Sequence, residues 1–168
     1  MAVNAMPVIA GDRFTAHGYN LAQPVYAWKT AAESVTNSIV DQLDDELVLP
    51  VEPFSKYLVL ACIATSGPTA ADIRLGYSVP AGAHGRRHNL GLAGAATATA
   101  DNMRISVHGW PTAVTYGINT TPVSIIEEGV LDTESAGGVL HMQWAQNVVN
   151  ATPVVVEASS FLRLQRVL

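Results

Sequence analysis

Residues 137–168 read "GGVLHMQWAQNVVNATPVVVEASSFLRLQRVL", and the fold class is legible in them. Leu140, Met142 and Trp144 alternate with His141 and Gln143; Leu162 and Leu164 alternate with Arg163 and Gln165. A period of two places each apolar set on one face of an extended strand, the mark of a sheet with one buried side. Asn, Pro and Ser residues between the two runs supply the turns. Phe161 and Val167 do not share the apolar face of the closing strand, which predicts a bulge there or a contact on both sides.

The same reading extends outward along the chain. "ADIRLGYSVP" puts Ile73, Leu75, Tyr77 and Val79 on one face, and "MRISVHGWP" alternates through Met103, Ile105 and Val107. "YLVLACIAT" is a continuous apolar run, fit for a strand covered on both faces, with Cys62 as a small buried hydrophobe. "VYAWKTAAESVTNSIV" and "PVSIIEEGVLDTESAGG" carry further β-branched runs with polar turns. "QLDDELVLPVEPFS" reads as a solvated acidic turn, then a short strand that Pro50 and Pro53 confine to an edge or an end. Arg86 and Arg87 stand in a glycine-rich stretch and read as a solvated tip or an interface contact. The total is roughly nine or ten short strands with no long amphipathic helix, the pattern of an antiparallel β-sandwich or jelly roll.

Residues 1–24 differ. They show no sustained period, yet Val8, Ile9, Phe14, Tyr19 and Leu21 are too apolar for a free tail. They read as an irregular arm that orders against a partner, ahead of a β domain over 25–168. Only 14% of the 168 residues are charged and 49% are hydrophobic. An average domain carries roughly 25% charge, so part of this surface is expected to be covered by other copies or by a larger assembly.

Function classes fall away in turn. The net charge of −5 offers no basic stripe for a nucleic-acid backbone. No apolar run is long enough to cross a bilayer, and the first residues lack the pattern of a signal peptide. The five histidines have no metal-ligand spacing, no GxSxG elbow is present, and no glycine loop leads from a strand into a helix. No catalytic residue, metal or cofactor is therefore expected. Trp28, Trp110 and Trp144 could stack on sugars; Trp144 reads as core, and Trp110, beside Gly109 and Pro111, as an interface anchor or a ligand platform.

Five segments carry a family resemblance. "AGDRFTAHGYNLAQ" (10–23) is similar to the N-terminal arms of virion proteins from tailed phages of actinobacteria. "SVTNSIVDQLDDELVLPVEPFSKYLV", "IRLGYSVPAGAHGRR", "GVLHMQWAQN" and "ATPVVVEASSFLRLQRV" resemble the β-rich body of the same group, with Phe161 where tryptophan is expected. The resemblance implies a jelly-roll virion structural protein, a homotrimer, with the arm docked on the major capsid protein as a decoration. Phe161 and Val167 would then face a neighbouring copy. A minor tail or spike component touching a host surface glycan through loops at 80–102 or 108–122 is the second implication.

Overall fold

The computed structural model describes residues 23–94 and 102–167. Among them are twelve strands and no helix: β1 (Val25–Trp28), β2 (Glu33–Val35), β3 (Gln42–Val51), β4 (Lys56–Ser66), β5 (Ile73–Ser78), β6 (His84–Leu92), β7 (Met103–Gly109), β8 (Val114–Tyr116), β9 (Val123–Asp132), β10 (Gly138–Gln146), β11 (Val154–Val156) and β12 (Phe161–Arg166). Strands β3 to β10 are divided between two antiparallel layers, β3-β10-β5-β8 and β4-β9-β6-β7, with only the β6–β7 hairpin keeping consecutive strands in one layer. That winding is a jelly roll, two Greek keys laid face to face. β12 and then β1 widen the second layer beyond β4, while β11 and β2 pair further along the same side of β4.

The core lies between the layers. Leu140, Met142 and Trp144 of β10 and Ile73, Leu75 and Tyr77 of β5 meet Val59, Ala61 and Ile63 of β4, Ile125 and Leu131 of β9, and Leu162 and Leu164 of β12. All are buried, as their alternation predicts. β12 holds an interior place between β1 and β4, with unbroken register from Phe161↔Cys62 to Arg166↔Tyr57. The expected bulge at Phe161 is therefore absent. Its ring lies on the outer face because β1 sets Trp28 opposite it, at a centroid distance of 5.0 Å.

β3 departs from its expected form. One ten-residue strand forms the edge of the smaller sheet, where Pro50 does no harm to a ladder. The acidic residues sit inside it: the register against β10 jumps from His141↔Val48 to Gln143↔Leu43, so residues 44–47 bulge. The Asp44 carboxylate holds the bulge, accepting the N–H groups of Glu46 at 3.1 Å and Leu47 at 2.9 Å. His141 Nε2 donates to the Asp44 carbonyl at 2.6 Å.

Gly129 lets β6 and β9 approach closely. A Cβ there would lie 2.1 Å from the Arg86 carbonyl oxygen and 2.7 Å from the Arg87 Cα, and neither is a side chain that could swing away. Gly129→Ala is accordingly expected to cost about 1–3 kcal/mol, read as a lower urea midpoint with an unchanged slope.

Candidate functional site

A sandwich normally turns polar residues outward from both sheets. The larger sheet does not. One ladder row across its outer face runs Trp28–Phe161–Cys62–Ile126–Leu90–Ile105, six apolar side chains on β1, β12, β4, β9, β6 and β7. Trp28 is 53% exposed and Ile105 82%. The next row, Tyr26–Arg163–Leu60–Glu128–His88–Val107, mixes apolar and charged groups, and Leu58 and Val130 lie adjacent in the third. A groove of about 380 Å³ opens here, with Leu58, Leu60 and Val130 along it and Arg163, Glu128 and His88 around it. At one end Tyr26 stacks on Trp28 at 5.5 Å, and Phe161 leans on both.

This face brings together one expected site residue and leaves others aside. Phe161 is in the stripe, half-buried by its own chain's aromatic neighbours. Val167 lies just past β12, its N–H donating to the Lys56 carbonyl at 2.8 Å. Val8, Ile9, Phe14, Tyr19 and Leu21 fall outside the described residues. Cys62 and β4 are corrected: the strand is covered on one face only, and Cys62 is half-buried on the other. Trp110 is neither anchor nor platform, being fully buried with Nε1 donating to the Val130 carbonyl at 2.7 Å. The segment 108–122 is likewise no open loop, since it contains β8 and buried Ile118.

Two ionic networks occupy the interior. Lys29, buried at the end of β1, donates to Glu33 Oε2 at 2.8 Å, Asp44 Oδ1 at 3.0 Å and Asp45 Oδ1 at 2.8 Å. Its three N–H donors are thereby used, and the carboxylates hold its pKa well above the ordinary lysine value despite burial. Asp45 is held below the usual range by Lys29, whereas burial pushes Glu33 up. The acidic run is thus the seat of a buried cation, not a solvated turn. An ammonium already stands among these three carboxylates, where a metal ion would need to be.

Arg87 corrects the other charge expectation. It is fully buried between the layers, with Nη1 on Glu127 Oε2 at 2.6 Å and Nη2 on the Thr112 carbonyl. Its guanidinium lies 4.9 Å from the Tyr77 ring centroid and 6.0 Å from that of Trp110. Glu127 also accepts from Asn89 and from the Tyr116 hydroxyl, both at 2.5 Å. Burial, then the Glu127 charge, raise the Tyr77 and Tyr116 phenols far above their usual pKa. A third group, His84, Asp132 and Glu134, lies near the surface, and Asp132 already pairs with Lys56.

Jelly-roll sandwich and apolar outer face together define an all-β protein with an exposed apolar row across one sheet. No protein-family model matches the sequence, and no curated protein does. Solved structures similar to it include infectious bursal disease virus of the Gt strain, at 9% identity and a TM-score of 0.23, covering 86% of this chain and 41% of that one. The Gx strain stands at 8% identity and 0.23, covering 86% and 40%. A mutant VP2 protein of the same virus, from derived T=1 particles, stands at 10% and 0.23, covering 86% and 39%. The chain spans about two-fifths of the length of these neighbours.

Proposed function

We propose that this chain is a virion structural protein of a tailed phage, a capsid decoration protein whose first 24 residues dock on the major capsid protein. Its jelly-roll domain projects from the shell as a homo-oligomer. The observation that carries the reading is the apolar row across the outer face of the larger sheet, which leaves Trp28 and Ile105 largely in water in a lone copy. The segment resemblance to actinobacterial phage virion proteins supports it, as do the five apolar residues of the arm. Binding of this kind stabilises the shell by mass action, and several arms per oligomer make attachment multivalent. The reading assigns the chain no catalysis.

Ile9→Asp and Phe14→Asp in the full chain are expected to leave a folded protein that no longer adds to undecorated capsids in a pelleting assay. Normal pelleting of both variants would mean that the arm is not the attachment element. The stacked Tyr26–Trp28 pair favours one second reading, a tail component that binds a host surface glycan. That reading expects retention on host cells, lost in Trp28→Ala, and none on capsids.

A further inference from the structure

We infer that the outer face of the larger sheet is a self-association surface, covered by the same face of a second copy about a two-fold axis running along the strands near β4. This inference stands without the virion reading, because it concerns the protein alone.

The charge pattern selects the occupant. Arg163 on β12 and Glu128 on β9 lie in one ladder row on opposite sides of Leu60 of β4, about 10 Å apart at two strand spacings. A two-fold axis along β4 exchanges β12 with β9 and β1 with β6. Arg163 of each copy then faces Glu128 of the other, twice per dimer, as an isologous contact requires. Glu128 is exposed and enters no ion pair among the described residues, so it is available for this pairing. The same operation sets Phe161 against Ile126 and Trp28 against Leu90, beside Ile105. Tyr26 comes over His88 at the groove wall.

Size agrees. With the axis on β4, the five strands from β1 to β6 overlap their counterparts over about 19 Å at about 4.8 Å spacing. β4, β9 and β6 run about 30 Å along the axis at about 3.3 Å per residue, an area approaching the roughly 800 Å² per partner of a standard interface. Both members of the charge pair lie on one face, so a single partner covers both and the association closes at two. The sequence reading expects three copies; this placement argues for two.

The full-length chain tests it in three linked measurements. Sedimentation velocity should give a dimer at micromolar concentration, and alkylation of Cys62, the only cysteine, should slow as concentration rises. Arg163→Glu alone and Glu128→Arg alone should each weaken dimerisation on the order of a hundredfold, through like charges facing across the axis. Mixing the two single variants one to one should restore a dimer, as should the double exchange in one chain. Restoration separates an interface effect from misfolding. A wild-type monomer at 100 μM, a mass of three copies, or single variants that dimerise normally would overturn the inference. So would concentration-independent protection of Cys62 that disappears when residues 1–22 are removed, since the chain's own arm would then be the occupant.

Discussion

Lys29→Met is expected to lower domain stability by about 3–5 kcal/mol, the usual loss when one member of a buried ion pair is removed. The substitution keeps the side chain's bulk and removes only the ammonium. Asp44, fully buried at the β3 bulge, then keeps its backbone donors but loses its ion-pair partner, and Glu33 loses the one cation it pairs with among the described residues. For a chain of 168 residues this corresponds to a fall in Tm on the order of 10 °C. Lys56→Met is the contrast: the Lys56–Asp132 pair is part-exposed, and its loss should register below about 1 kcal/mol.

The pH dependence has a definite sign. Lys29, with a raised pKa, contributes stability that is fully present below its ordinary value of about 10.4 and is lost only as pH climbs through the higher folded value. Asp45, with a lowered pKa, contributes stability present above about 3.9 and lost as pH falls through the lower folded value; its exposure keeps that share small. Glu33 acts oppositely, since a raised carboxyl pKa makes its ionisation unfavourable to folding as pH rises. The difference in Tm between wild type and Lys29→Met should therefore be large at pH 7 and smaller near pH 4, where carboxyls stripped of their ammonium take up protons. A difference that grows on acidification would show that Lys29 acts through packing, not charge.

What the sequence could and could not show follows from the same residues. Strands with one apolar side facing the core are legible because burial and alternation agree, as in Leu140, Met142 and Trp144 or Ile73, Leu75 and Tyr77. β6 and β7 invert that code. Arg87, Asn89 and Gly91 point inward, whereas Leu90, Met103, Ile105 and Val107 point out. Alternation is visible in both strands, but nothing local says which face is wet, because the Glu127 carboxylate that accepts from Arg87 and Asn89 lies about forty residues away. The β3 bulge hides the acidic site in a similar way. A bulge breaks the two-residue period, so "DDEL" reads as a turn, and its partner Lys29 lies a full strand earlier. The row from Trp28 to Ile105 is legible only after the strand order is known, since it draws one residue from each of six strands.

Arg87→Met and Glu127→Leu separate a buried charge from the bulk it occupies. Alone, Arg87→Met strands a carboxylate at zero exposure with only Asn89 and Tyr116 as donors, and a loss of about 3–5 kcal/mol is expected. Glu127→Leu leaves the guanidinium its Thr112 carbonyl and the faces of Tyr77 and Trp110, so its loss should sit at the lower end of that range. The double variant should return to within about 1–2 kcal/mol of wild type, because two desolvated charges are exchanged for apolar groups of similar size. Asn89 and Tyr116 keep each other at 2.8 Å. The wild-type network is itself incompletely satisfied, with Arg87 Nε and the Tyr77 hydroxyl lacking partners, which further favours the apolar replacement. Urea denaturation of the four proteins closes the cycle and yields a coupling energy of several kcal/mol. Additive losses would mean that each charge is held by its other neighbours and that the salt bridge is incidental to the sandwich.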